Sequence, residues 1–345
     1  MEENTMKKIL AVVLALMMAA ALAACGSSGS STTTAATTAA PADNGGGSAE
    51  TKTVAVGAVV IAADTVSEDA VYAFVSAIYD NIDAITEQHA KGAELSLEFA
   101  TSVTAVPYHP GAAKYFEEKG YSVAAVKDGA GTGDATSLTF TTGGETGTYY
   151  AFGGVLGQYV SGNTDISVTV VSSTGSQNNI EEIDAGNAQL GFTQSDVMSY
   201  AYNGERLFES KVESFSVVCA LYMEAVQIVT TDSSIASVAD LAGKSVSIGA
   251  SGSGVYFNAI DVLGAYGLTE DDIDPIYQGF GDSAESLKDG KIDAAFIVAG
   301  APTTAITDLA TAKSIYLVGF DADHISALLA ESPFYSEYTI PAGTY

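Results

Sequence analysis

Apolar positions along the chain fall into short β-branched runs that alternate with stretches of helical spacing. Val54–Ala63 is almost continuously apolar and predicts a buried strand. Behind Ser67, a fitting N-cap, residues Val71, Phe74, Val75, Ile78, Ile82 and Ile85 recur at helical intervals and predict an amphipathic helix. A shorter element follows near Leu95–Thr101, and Pro107–Gly120 reads as a rigid turn feeding a short helix with a glycine stop. The polar, Gly-rich stretch 127–136 reads as a linker. From Ser137 onward the pattern repeats as strand, corner, helix. Strands are expected at Ser137–Phe140, Ile166–Ser172, Gln189–Thr193, Val217–Tyr222, Val226–Thr230, Ser245–Gly249 and Ile292–Val298. Helices are expected behind Ser173–Ser176, behind Gln194–Asp196, at Val238–Lys244 with a glycine C-cap, behind Ser251–Gly254, and behind Gly300-Ala301-Pro302 with the proline in the first turn. Such alternation means a largely parallel α/β architecture.

In parallel sheets ligands lie where the strand-to-helix corners gather. The corners here are Thr141–Thr148, Ser173–Asn179, Gln194–Asp196, Ser251–Gly254 and Ala299–Pro302, all rich in small or hydroxyl residues and free of basic ones. Thr141–Tyr150 (TTGGETGTYY) stands out. Its glycines let the backbone turn without a Cβ clash, and its free N–H groups and helix dipole would favour an anionic or zwitterionic ligand. A single corner of this kind is equally a plain turn. Together the five suggest a polar cradle of N–H and O–H donors.

Composition sharpens this. Thirteen basic against 42 acidic residues give a net charge of −29, which argues against nucleic acid and anionic membrane surfaces as partners. An acidic ligand would have to be held by local donors, and Arg206, the only arginine, excludes a multi-arginine clamp. At the front, Met6-Lys7-Lys8 followed by apolar Ile9–Ala21 reads as a secretory leader. Leu22-Ala23-Ala24-Cys25-Gly26 resembles a bacterial lipoprotein signal, with Cys25 as the lipidated residue and residues 1–25 as the leader. Residues 26–52 lack large apolar groups and read as a flexible tether with a reach of roughly 30 Å. The membrane would then be met only through the lipid, on the extracytoplasmic side. Cys219 is the one other cysteine, so no intramolecular disulfide framework is expected once Cys25 is modified.

The segments TTGGETGTYYAFGG, SSTGSQNNI, FTQSDV, SVADLAGKSVSIGASGSGVY, LKDGKIDAAFIVAGAPT and YTIPAGTY closely resemble the TAXI family of TRAP transporter solute-binding proteins across Ser137–Tyr345. The resemblance implies a two-lobed, type II-like periplasmic-binding-protein fold with a cleft between lobes. It also implies delivery of a small organic acid or amino acid, glutamate-like or 2-oxoglutarate-like, to a TRAP membrane permease; the binder is expected to be a monomer. Two departures bear on ligand identity. The family usually has a proline before the glutamate where this chain has Met223-Glu224, and another where it has Ser251. A third departure is order. Pieces that close the family sequence, similar to Thr53–Ala63, Glu68–Ile85 and Pro107–Gly120, here precede its beginning, so the chain looks circularly permuted. The same order could arise from gene assembly. Permutation would place lobe one at 53–230 (segment 53–126, linker 127–136, segment 137–230) and lobe two at 231–345. It would set Val54–Ile61 beside Val226–Thr230 and bring Tyr345 near Thr53.

The leading expectation is therefore a lipid-anchored binding protein without a cofactor, metal or catalytic residue. Ligand-binding positions are expected at Thr142, Gly143, Gly144, Thr146, Gly147, Tyr149, Ser176, Asn179, Gln194, Ser251, Gly252, Ser253, Gly254 and Pro302. Core packing remains open for Tyr149 or Tyr150, and a first-turn helix contact for Asn179. An enzyme on the same fold is the competing class. His89, His109 and His324 lie in unrelated contexts, however, and the chain shows no zinc spacing, GxSxG elbow or Walker sequence. A ligand-sensing partner of a membrane receptor would share the same extracytoplasmic chain.

Overall fold

The computed structural model describes residues 49–345; the leader, Cys25 and nearly all of the tether lie outside the described residues. Strand β1 (Thr51–Ala63) opens the fold and is buried along almost its whole length. Helix α1 (Glu68–Tyr79) follows, with the Ser67 side chain accepting from Ala70 N–H at its start. The single helix expected through Ile85 is instead two. Asp80 closes α1, and α2 (Ile82–Gln88) starts afresh. The break is held by Tyr115, whose hydroxyl donates to Asp80 at 2.8 Å, and by Asn81, whose side chain donates back to the Ala77 carbonyl. A 3-10 turn (Ala90–Glu94), α3 (Leu97–Ala100) and α4 (Pro110–Glu118) complete this segment. His109 caps α4 by accepting from Gly111 N–H, and its Nε2 lies 3.0 Å from the Val66 carbonyl.

The alternating part runs β2 (Ser137–Thr141), α5 (Thr148–Asn163), β3 (Ser167–Val171), α6 (Ser176–Asp184), β4 (Leu190–Gln194), α7 (Ser195–Asn203) and β5 (Phe215–Thr230). The two strands expected at Val217–Tyr222 and Val226–Thr230 are thus one. Met223 and Glu224 do not end the ladder; they pair with Gly57 and Val56 of β1, and the buried Glu224 side chain faces the cavity described below. After β5 come β6 (Ser245–Ser247), α8 (Val255–Ala265), β7 (Asp274–Ile276), α9 (Phe280–Asp289), β8 (Ala294–Ala299), α10 (Thr304–Ala312), β9 (Tyr316–Leu317), α11 (Ala322–Glu331) and β10 (Ser336–Ile340). Pro302 lies ahead of α10 rather than in its first turn. The Gly300 carbonyl accepts from both the Thr148 and Thr303 hydroxyls, and residues 300–302 bend before the helix begins.

The sheet order is β3-β2-β4-β1-β5-β8-β6-β7, with β9 on β5 and β10 on β1. Strands β2, β3 and β4 are parallel, and β1 runs against β4. The second half repeats the scheme, with β6, β7 and β8 parallel and β5 running against β8. This twice-used order, joined by the 16-residue β5, is that of the two-lobed type II periplasmic-binding-protein fold. One apolar core packs both faces of the first half, around Phe74, Phe140, Phe152, Phe192 and Phe215. The second half splits its core by strand alternation: Val226, Ile228 and Phe296 face one layer, and Val229, Ala295 and Ile297 face the other. Segment Thr51–Ala55 of β1 pairs with β10 from Ile340 back to Ser336. The main partner of β1 in β5 is Phe215–Ala225, so Val54–Ile61 lies beside the stretch just before Val226–Thr230.

Candidate functional site

The parallel strands of each half end at a shared cavity of about 410 Å³. Four helices begin on its wall, and each has glycine at its N-cap: Gly147 before α5, Gly175 before α6, Gly254 before α8 and Gly279 before α9. Gln194, the N-cap of α7, lines it as well. None of these five starts has a side-chain cap. By contrast, α1, α3, α4 and α11, which begin elsewhere, are capped by Ser67, Ser96, His109 and Asp321. The first N–H groups of a helix have no partner within it. Several positive dipole ends and unclaimed donors therefore converge on one space, the physical recipe for holding an anionic group.

The loop before α5 is fixed from behind. Thr142 hydrogen-bonds the Val171 carbonyl through both its N–H and its hydroxyl, and the Gly143 carbonyl accepts from Ser173 N–H. Asn179 donates to the carbonyls of Thr142 (2.6 Å) and Phe192 (2.8 Å), tying the loop to the end of β4. Tyr149 stacks on Phe192 with ring centroids 4.5 Å apart, and its hydroxyl donates to Glu224 Oε2 at 2.6 Å. It is thus both wall and core. Glu224 is 2% exposed, and burial pushes its carboxyl up to about 8. The Tyr149 hydrogen bond and Lys91 oppose that rise, while Asp196 adds to it. Asp196 itself is buried and is raised to about 7, chiefly by desolvation. Three polar atoms of the lining have no protein partner: Gln194 Oε1, Ser253 Oγ and Gln278 Nε2. Buried polar atoms are almost always paired, so these three stand out as unsatisfied groups beside the cavity.

The halves meet around the cavity. Thr148 Oγ1 donates to the Gly300 carbonyl (3.0 Å), Ala305 N–H to the Thr146 carbonyl (3.2 Å) and Asn178 N–H to the Gly252 carbonyl (3.0 Å). Asn258 of α8 donates to Asp196 (2.9 Å), and Arg206 pairs with Asp261 at 2.6 Å.

Of the positions singled out in the sequence, Gly143, Gly144, Gly147, Tyr149, Ser176, Gln194, Ser253 and Gly254 line the cavity. Thr142 and Asn179 stand behind it as supports of the loop. Thr146 reaches the second half through its carbonyl, with its side chain against Gly281. Ser251 and Gly252 line an adjoining cavity of about 370 Å³ that shares Thr174, Ala250 and Tyr277 with the first. Pro302 is not on the lining. Sequence reading missed Glu224 as a site residue and missed the whole Tyr277–Asp282 edge. A glycine ahead of a polar first turn, as at Gly279, was the available signal for the latter. The histidines serve local structure. His109 is a cap whose imidazole burial holds down to about 4, His89 packs on Phe152, and His324 stacks on Tyr266 beside Asp321.

Residues 23–120 and 140–345 match the model of the NMT1-like family. The chain belongs to the NMT1-like family. Among solved structures, this NMT1-like protein is similar to the periplasmic aliphatic sulphonate binding protein SsuA from Escherichia coli, with 18% identity over 54% of this chain and 60% of that one and a TM-score of 0.34. It is also similar to the alkanesulfonate-binding protein SsuA from Xanthomonas axonopodis pv. citri bound to MOPS, at 19% identity, 54% and 61% coverage and a TM-score of 0.38. An ancestral arginine-binding protein bound to glutamine matches at 15% identity, 55% and 80% coverage and a TM-score of 0.39. The matched region spans about 60% of the length of the two sulfonate-binding proteins. Among the described residues, no helix is long and apolar enough to cross a membrane.

Proposed function

We propose that this protein is a solute-binding protein that captures a small carboxylate or amino acid in the cavity between its lobes. The observation that carries the reading is the convergence of uncapped helix starts, four of them with glycine N-caps, on a cavity whose lining includes no lysine, arginine or histidine. A ligand carboxylate would accept from the first N–H groups of α5 and α6, with Ser253 and Gln278 as further donors. The cavity volume suits a molecule of amino-acid size, and closure by the contacts between halves would bury it. A binder is favoured over an enzyme because the three histidines are spent on capping and packing.

We further propose the arrangement implied by the TAXI resemblance: lobes meeting near residue 230, a lipid anchor at Cys25 on the extracytoplasmic side, and handover of a glutamate-like or 2-oxoglutarate-like solute to a TRAP permease. Circular permutation belongs to this proposal, supported by the pairing of β1 with β10.

Thermal shift with a panel of small carboxylates and amino acids tests the reading. A specific ligand at a thousandfold excess over Kd should stabilise by about 4 kcal/mol. No stabilisation by any member of the panel would sink it.

A further inference from the structure

We propose that Glu224 selects the ligand: its carboxylate receives a ligand ammonium group, so the site takes amino acids in preference to the keto acids and dicarboxylates of the same carbon skeleton. This rests on the cavity being the carboxylate-binding site argued above.

Glu224 projects from the middle of β5 into the cavity, almost wholly shielded from solvent. One of its oxygens accepts from Tyr149; among the described residues no other hydrogen bond reaches its carboxyl group. Apart from Asp282, it is the only charged residue on the lining. The groups that surround it are Tyr149 from α5, Tyr222 from its own strand, Asp196 from α7, and Lys91 of the 3-10 turn. Lys91 is bound to Glu94 and sits 5.4 Å from the centre of the Tyr222 ring, so it does not neutralise Glu224 directly. A buried acidic group thus stands with a free oxygen and no cation of the protein against it, which is costly for the charged form unless a partner arrives.

The rest of the lining supplies the complement. The helix starts offer positive dipole ends and N–H donors, which suit a carboxylate. A single α-amino acid satisfies both features at once, its carboxylate on the helix starts and its ammonium on Glu224. A keto acid brings a carbonyl oxygen to the same place, which can accept a hydrogen bond from the neutral carboxyl but cannot form the ion pair that an ammonium makes with the carboxylate.

Burial keeps Glu224 protonated near neutral pH, so binding an ammonium has a definite proton balance. The Glu224 O–H bond breaks, the proton goes to solvent, and the ligand ammonium donates to the carboxylate that remains. Tyr149 keeps its hydrogen bond to the other oxygen.

Titration calorimetry tests this near pH 7 in two buffers of different ionisation enthalpy. Each of several amino acids would be paired with its own keto acid: glutamate with 2-oxoglutarate, alanine with pyruvate, leucine with its keto acid. The tightest amino acid is expected to bind at least about tenfold more tightly than its keto acid and to release a proton. Glu224→Gln is expected to remove both the preference and the proton release. Equal or tighter binding of the keto acid, or an unchanged ratio in Glu224→Gln, would overturn the inference while leaving a carboxylate-binding protein. Binding of none of these compounds would overturn the inference and the underlying reading together. Should Glu224→Gln fail to fold, the wild-type ratio and its proton count decide by themselves.

Discussion

Glu224 illustrates how one residue can carry a functional signal that periodicity hides. In the sequence it interrupts an apolar run and looks like a strand boundary; in the fold it is a strand residue whose side chain has a cavity to enter. Its burial has a consequence for stability. Burial pushes the Glu224 carboxyl of the folded protein up to about 8, whereas the ordinary glutamate value is 4.5. Between those values the native state binds more protons than the unfolded chain, so stability falls as pH rises through that window. Asp196 acts in the same sense up to about 7. His109 acts oppositely: its depressed value means stability is lost as pH falls from 6.5 toward 4. We therefore expect ligand-free Glu224→Gln to be more stable than wild type at pH 8, with the difference shrinking toward pH 4.5 in urea titrations. A difference independent of pH would contradict the assignment.

At the scale of elements, much was legible. The β-branched runs gave most strands of the sheet, and the helix start at Ser67 and the turn-then-helix reading of Pro107–Gly120 hold in the structure. Gly111 also has a packing role, because a Cβ there would collide with the Glu68 carbonyl of α1. What escaped was decided by distant partners. The break at Asp80 depends on Tyr115 and Lys119, which no local pattern reports. The short strand β7 and helix α9 were missed because Asp274–Ile276 is only three residues long and the apolar stripe of α9 is thin, Phe280, Ala284 and Leu287 in an otherwise polar segment. Four of the five expected corners do reach the cavity through at least one residue besides Ala299, which lines it alone for the fifth. Gly279 offers a direct test at this scale. A Cβ there meets nothing within 4 Å, and its extended backbone suits a capping side chain. Gly279→Asp should therefore cap α9, raise ligand-free stability by a few tenths of a kcal/mol and weaken carboxylate binding about tenfold or more. Unchanged affinity would remove α9 from the binding surface.

For the molecule as a whole, the central fact is that β1 and β5 lie side by side at the join of two similarly ordered half-sheets. Polar contacts cross between the halves, including Asn258–Asp196 and Arg206–Asp261. The proposed circular permutation has a test at this scale. A gene joining residue 345 to residue 51 by a short linker and opened within 127–136 should give a protein that folds with a similar Tm, because strand β10 already pairs with β1. Failure to fold would count against interchangeable orders. Fold class was readable from the alternation of strands and helices, but the meeting of the helix starts at one cavity was not, since it depends on how two half-sheets face each other.

The most direct test of the account is a ligand-bound crystal structure obtained with the tightest compound from the panel. The account predicts a carboxylate within hydrogen-bond distance of the first N–H groups of α5 and α6, between Gly147 and Gly175, with the remainder of the ligand reaching toward Glu224. A ligand bound elsewhere, or one whose carboxylate avoids those helix starts, would contradict it.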